Sequence, residues 1–182
     1  MVNFLNLHAM TRSPSDRSQA QYLFEINWMI RRDMPEVIVI EDKCFEFPWI
    51  EMDFIRRLRQ RNCIGMVASY DSRIIGYIVY ELHKDHLHVL NMAVSPEFHR
   101  RQVGTGIINN LIGKLSHTRR TKITLEVRET NLAAQLFFRA TGFMATSVIR
   151  DFYDETPEDA YQMEWRLVTS VSEPTSTGSR MS

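Results

Sequence analysis

Hydrophobic positions along this chain recur in two periods, and the changes of period mark out its elements. Residues 22–29 read as a strand, and residues 34–45 as a helix carrying Val37, Ile38, Ile40, Glu41 and Cys44. A second helix over 49–59 is separated from the first by Pro48, which cannot continue a helix. Strand patterns follow at 64–70, 74–82 and 86–94, with Asp71-Ser72-Arg73 as a tight hairpin connection. Ile107, Ile108, Leu111, Ile112 and Leu115 then fall on one helix face. A strand over 122–127, a helix over 132–140 and strands near 143–149 and 160–167 complete the series. Successive hairpins with two strand–helix–strand crossings predict a three-layer α/β/α domain around a mixed, mostly antiparallel sheet. No internal repeat is present.

The segment from Asn91 to Ile107 carries the most chemistry. A short apolar strand, Asn91-Met92-Ala93-Val94, leads through a polar turn into a helix whose start holds Arg100, Arg101, Gly104 and Gly106. Free amides and the helix dipole make such a start a ready anion site. Glycines let a phosphate approach the backbone, and the arginines add charge. The bland alternative is an ordinary helix start with solvated basic residues. No Gly-Lys-Ser/Thr closes the loop and no G-x-G-x-x-G opens it, so nucleotide and dinucleotide folds lack support.

Composition narrows the classes. The 182 residues, 44% of them hydrophobic, suit one domain with a real core. Lysine plus arginine equals aspartate plus glutamate at 22 each, and the arginine pairs are scattered, which argues against nucleic acid as a partner. Two cysteines, Cys44 and Cys63, without C-x-x-C spacing fit a reducing cytoplasm rather than a disulfide or zinc framework. No apolar run approaches a membrane span and no signal-peptide core is visible, so a cytoplasmic protein with no membrane partner is expected. Residues 1–21 read as a flexible extension, 22–168 as the folded domain, and 169–182 as a disordered tail.

Arg101-x-x-Gly104-x-Gly106 resembles the pyrophosphate-binding motif Q/R-x-x-G-x-G/A of the GCN5-related N-acetyltransferases (GNAT). The resemblance continues through Phe47-Pro48-Trp49, Asn91-Met92-Ala93-Val94, Leu125-Glu126-Val127-Arg128-Glu129-Thr130-Asn131, Thr141-Gly142-Phe143, Asp151-Phe152-Tyr153 and Glu158-Asp159-Ala160. Together these look like the RimI-type branch, the ribosomal-protein alanine N-acetyltransferases, over roughly residues 22–167. The resemblance implies the GNAT-like fold and acetyl-CoA as co-substrate. It places the pyrophosphate on Arg100, Arg101, Gln102, Val103, Gly104, Thr105 and Gly106, and the thioester arm on Met92, Ala93 and Val94. It adds Asn131 and Phe138 to the cofactor site, and makes Phe47, Pro48, Trp49 and Tyr153 walls of a peptide groove.

Acetyl transfer to an amine needs a neutral amine, a stabilised carbonyl oxygen, close approach and a leaving thiolate. Glu126 alternates with Ile123, Leu125 and Val127, so its carboxylate has either a solvated face or a cleft. The resemblance makes it the general base, acting through water. Asn131 suits a helix N-cap, a role compatible with cofactor contact. Two positions depart from the family: Gln102 stands where relatives usually carry glycine, and Phe138 where they carry the tyrosine that protonates the thiolate. Phenylalanine has no proton to give, leaving Tyr153 as the alternative donor by family position. His83, His86 and His88 form a cluster, read as a polar hairpin edge; no metal is expected. The favoured function is acetylation of a protein N-terminal amine, with a ribosomal-protein alanine as acceptor. A lysine or small-amine acetyltransferase, or a non-catalytic acyl-CoA-binding module, remain as alternatives; Glu126 argues against the module.

Overall fold

The computed structural model describes residues 24–168; the extension over 1–21 and the tail over 169–182 lie outside the described residues. Seven strands form one sheet: β1 (Glu25–Trp28), β2 (Cys63–Tyr70), β3 (Arg73–Leu82), β4 (His86–Val94), β5 (Lys122–Arg128), β6 (Met144–Ile149) and β7 (Ala160–Arg166). Their order is β1-β2-β3-β4-β5-β7-β6. Among the described residues only β4 and β5 pair in parallel; every other neighbouring pair is antiparallel. The helices are α1 (Met34–Cys44), α2 (Glu51–Leu58), α3 (Val103–Ile112) and α4 (Leu132–Ala140).

Local sequence explains most joins. Asp71 and Ser72 both take positive φ, 50° and 61°, while Tyr70 pairs with Arg73. That two-residue turn has the left-handed backbone whose twist matches a hairpin. Parallel pairing of β4 with β5 needs a crossover, which α3 supplies. The second crossover, through α4, passes over a strand, because β7 folds back between β5 and β6.

Two cores sandwich the sheet. Val37 and Ile40 of α1 and Phe54 of α2 pack on Tyr77, Val79 and Ala93. On the other face Val103, Ile107, Ile108 and Leu111 of α3 and Phe138 of α4 pack on Ile78, Tyr80, Leu87, Val89, Ile123, Leu125 and Val127. The alternation slips once in β4. Val79 pairs with Asn91 but Tyr80 with Val89, so Leu90 is the extra residue of a bulge.

The slip has a consequence for the site. The β4–β5 ladder covers only His86–His88 against Lys122–Thr124, although β4 continues to Val94 and β5 to Arg128. Beyond the bulge the two strands diverge into a wedge. Met92, Ala93 and Val94 form one side of it, with their other edge paired to β3. Glu126 and Arg128 lie on the opposite strand.

Candidate active site

The start of α3 stands at the mouth of this wedge. Gln102, its N-cap, is left-handed at φ 65°, and Arg100 is left-handed at φ 58°. A glycine reaches that conformation freely, whereas another residue is strained by about 1–2 kcal/mol. The Gly106 amide bonds back to the Gln102 carbonyl at 2.9 Å, leaving the preceding amides of the first turn to point outward. Arg101 lies over the Phe98 ring at 5.2 Å, and Arg100 is exposed.

The two motif glycines also answer to packing. A Cβ on Gly104 would meet the Phe137 ring at 3.1 Å, and one on Gly106 would meet the Phe24 ring at 2.3 Å. Aromatic rings from α4 and from the residue just before β1 therefore press on α3 where the sequence reading expects only phosphate clearance. Met92 reaches the same place, its Cε 3.6 Å from where a Gly104 Cβ would stand.

Glu126 sits in a cleft rather than on a solvated face, its side chain 13% accessible. His88 Nε2 lies 3.3 Å from one carboxylate oxygen, and Gln162 Nε2 lies 3.5 Å from the other. The second ring nitrogen of His88, Nδ1, is 2.9 Å from the Thr124 hydroxyl. These groups border a cavity of about 380 Å³ that also takes in Glu81, His83, His86, Lys122 and Glu164. Burial holds the His88 imidazole below its ordinary pKa, with Glu126 and then Glu81 pulling it back up and His83 and His86 pushing it down. The histidine cluster thus has carboxylate partners that were not foreseen. Yet among the described residues no group of histidine, cysteine and carboxylate side chains is arranged to hold a metal ion.

At the open end of the wedge Arg128 organises the walls. Its guanidinium lies 3.6 Å from the centre of the Tyr153 ring and 5.3 Å from that of Phe47. The same group donates to Thr156 Oγ1 at 2.7 Å, Glu158 Oε2 at 2.6 Å and Glu155 Oε2 at 3.1 Å. The β6–β7 connection is thereby drawn over β5, and two aromatic rings from distant segments meet on one cation. Burial pushes the Tyr153 phenol up to about 12, Arg128 opposing, so the hydroxyl stays protonated. Phe47 is exposed, while Trp49 turns inward and meets Phe54 edge-on at 5.2 Å. The Phe47-Pro48-Trp49 loop is divided between wall and core.

Asn131 caps α4, its Oδ1 accepting from the Ala134 amide at 3.0 Å. Phe138 is buried in the main core, its ring 5.1 Å from Phe137 and 5.4 Å from Phe143. Of Met92, Ala93 and Val94, the middle residue points into the α1–α2 core and the outer two toward α3. The Val94 carbonyl is occupied by a His99 ring nitrogen at 2.8 Å and by Cys44 Sγ at 3.4 Å.

Sequence reading missed Glu41. It is 1% exposed on α1, yet receives the Trp49 amide at 2.7 Å, Asn91 Nδ2 at 3.0 Å and the Tyr77 hydroxyl. Burial pushes its carboxyl up to about 7, against the pull of the Trp49 and Asn91 hydrogen bonds. It ties the groove-wall loop to β4 beside the bulge. Its place among apolar helix positions was the available signal: a carboxylate at a core position must find donors.

Known proteins resemble this chain in sequence and in fold. A profile of the Acetyltransferase (GNAT) family matches residues 34–143. The chain belongs to that family. It is an N-acetyltransferase, and its co-substrate is acetyl-CoA. It is 29% identical to the ribosomal protein bS18-alanine N-acetyltransferase of Salmonella typhimurium over 121 residues, 66% of this chain and 81% of that protein. Its counterpart in Escherichia coli strain K12 is 27% identical over 72% of this chain and 89% of its own length. The crystal structure of the Escherichia coli ribosomal-protein-S18-alanine N-acetyltransferase superposes with a TM-score of 0.71 at 22% identity, covering 83% of this chain and 99% of that one. No described helix is long and apolar enough to cross a membrane.

Proposed function

We propose that this N-acetyltransferase acts on the N-terminal amine of a protein, with an N-terminal alanine such as that of a ribosomal protein as the favoured acceptor. The observation that carries the reading is Glu126: a cleft carboxylate on the strand that diverges from β4, between an anion-binding helix start and an aromatic-walled groove. The names of the relatives support the acceptor class.

Acetyl-CoA supplies the acetyl group as a thioester. In this reading the first-turn amides of α3 at Val103, Gly104 and Thr105, with Arg100 and Arg101, bind its pyrophosphate. The backbone of Met92 to Val94 borders the reacting carbonyl, and Asn131 borders the arm on the α4 side, with Phe138 packed in the core beneath. Phe47, Pro48 and Tyr153 hold the peptide. Glu126 takes the proton of the attacking amine, directly or through one water, in a ternary complex. An α-amine at about 7.7–8.0 is far easier to deprotonate than a lysine near 10.4, which favours an N-terminus over a side chain.

Phe138 cannot donate to the leaving sulfur. Tyr153, with its phenol pushed up to about 12, is a weak acid beside a thiol near 8.5. Tyr153 serves the groove, and the thiolate leaves without side-chain help.

The deciding experiment is Glu126→Gln, assayed on a synthetic peptide beginning with alanine. Turnover is expected to fall by ~10²-fold or more at neutral pH, with acetyl-CoA affinity unchanged and partial recovery at high pH. Near-normal turnover at neutral pH places the base elsewhere.

A further inference from the structure

We propose that Glu41, as a neutral carboxylic acid, is a positioning residue for the acceptor: it closes a ring of hydrogen bonds with Tyr77 and Asn91 that holds the Phe47-Pro48-Trp49 loop against β4. The proposal rests on the reading of that loop as a wall of the peptide groove.

Glu41 pins the loop at both ends. Its backbone carbonyl accepts the Phe45 amide at 3.1 Å, and its carboxyl accepts the Trp49 amide at 2.7 Å. Phe47 stands between these two bonds, so its place over the groove depends on one residue of α1. The same carboxyl reaches the sheet. Asn91 Nδ2 donates to Oε1 at 3.0 Å, and Oε2 meets the Tyr77 hydroxyl. Asn91 adjoins the bulged Leu90, where β4 has already parted from β5. A second tie from α1 to this stretch of β4 is Cys44 Sγ, 3.4 Å from the Val94 carbonyl.

Counting protons assigns the neutral form. The Tyr77 hydroxyl lies against two oxygens, Glu41 Oε2 and, at 3.2 Å, Asn91 Oδ1. It has one proton to give. Beside an ionised carboxylate, one of those contacts is left without a hydrogen. With a proton on Oε2 the ring closes: the Glu41 O–H donates to the Tyr77 oxygen, the Tyr77 O–H to Asn91 Oδ1, and the Asn91 N–H to Glu41 Oε1. Every member then gives and accepts, and the Trp49 amide keeps its bond to Oε1.

The surroundings agree. Facing the carboxyl are the Tyr77 phenol of β3, the Asn91 amide of β4 and the Trp49 amide of the loop, with the Phe54 ring of α2 stacked beyond Tyr77. None of these is a cation. On its own helix the carboxyl has Asp42 and Cys44 beside it, and Asp42 adds a small upward push to that of burial, which brings the pKa to about 7. The neutral acid therefore predominates below pH 7 and the carboxylate above it. Losing the proton deprives Asn91 Oδ1 of its donor and leaves a buried charge that draws water, and the exposed loop gives way more readily than the strand. Strand β4 keeps its ladder with β3 in either state. The acceptor wall loosens while the backbone beside the thioester stays in place.

The test uses Glu41→Gln, whose amide replaces the carboxyl O–H at every pH, and Tyr77→Phe, which removes the middle of the ring without changing its shape. Both are assayed with a synthetic alanine-initiated peptide and acetyl-CoA from pH 6 to 8.5, and melting curves check the fold. Titration of the peptide amine is common to all the proteins and cancels in a ratio of KM values. The wild-type KM for peptide divided by that of Glu41→Gln should be near 1 at pH 6. It should rise with a midpoint near 7 to about threefold or more at pH 8.5, while kcat and the KM for acetyl-CoA stay within about twofold. Tyr77→Phe should already show the raised peptide KM at pH 6. A flat Glu41→Gln ratio overturns the proposal, as does a wild-type peptide KM in Tyr77→Phe or an equal change in the KM for acetyl-CoA. Should Tyr77→Phe fail to fold, the Glu41→Gln profile decides alone. Phe47→Ala, assayed in parallel, separates the two readings. An unchanged peptide KM in that variant removes the loop from the acceptor site and overturns both, whereas a raised one beside a flat Glu41→Gln ratio overturns the role of Glu41 alone.

Discussion

At the residue scale, Glu41 shows how a single buried carboxylate sets conditions for a binding wall. Its two oxygens receive donors from the α1–α2 loop, β3 and β4, so removing the side chain would leave several polar groups unpaired in the core. Burial raises its carboxyl from 4.5 to about 7, so between those values the folded protein keeps a proton that the unfolded chain has lost. The contribution of Glu41 to stability is therefore full below about pH 4.5, falls as pH rises through 7, and stays low above. Glutamine mimics the protonated form, since its amide can donate to Tyr77 while Tyr77 turns to Asn91. Glu41→Gln should raise Tm by several degrees at pH 8 and leave it unchanged near pH 4.5. Melting curves across that range check it, and an equal shift at both ends would mean that Glu41 does not titrate in the folded state.

At the element scale, the helices carry the site by their ends. Alpha-helix α4 begins at Asn131, whose side chain accepts the Ala134 amide. Asn131→Ala removes one partner from the orphan amides and should cost about 1 kcal/mol, or roughly 2–4 °C in Tm for a domain of this size. Thermal denaturation measures this. A loss of acetyl-CoA affinity beyond what the destabilisation explains would assign Asn131 to the cofactor as well. Strand β4 is decisive in another way. Its first half pairs on both sides, while its second half, past the bulge at Leu90, pairs with β3 alone. One extra residue thus turns a continuous sheet into a wedge with backbone available along it.

At the scale of the whole molecule, Arg128 joins segments far apart in sequence: Phe47 from the α1–α2 loop, and Tyr153, Glu155, Thr156 and Glu158 from the β6–β7 connection. Arg128→Met keeps much of the apolar stem but loses the fork of donors and the cation on both rings. The β6–β7 connection should loosen, raising KM for an alanine-initiated peptide by ~10-fold or more while the Kd for acetyl-CoA stays within about twofold. Steady-state kinetics with a direct cofactor-binding measurement decide it. An equal weakening of both would mean that Arg128 supports the general fold instead.

The sequence by itself determined the elements and their order. The period of the apolar residues, the Pro48 break and the Asp71-Ser72 turn all act over a few residues, where local sterics dominate. The same locality made the α3 start at Gly104 and Gly106 and the Asn131 cap legible. Family membership followed from motifs spread along the chain and is borne out. What the tertiary structure alone decided arises between segments that do not adjoin. The insertion of β7 between β5 and β6 depends on which edge of β5 is free once α4 has crossed. The bulge at Leu90 is a mismatch between two strands, invisible in either one. The inward turn of Trp49, the burial of Phe138 between aromatic rings and the pressure of Phe24 and Phe137 on α3 depend on close packing among side chains from different elements. The pairing of Glu126 with His88 has the same origin. Each residue reads as an ordinary polar strand position, and only the parallel register of β4 on β5 brings imidazole and carboxylate within 3.3 Å.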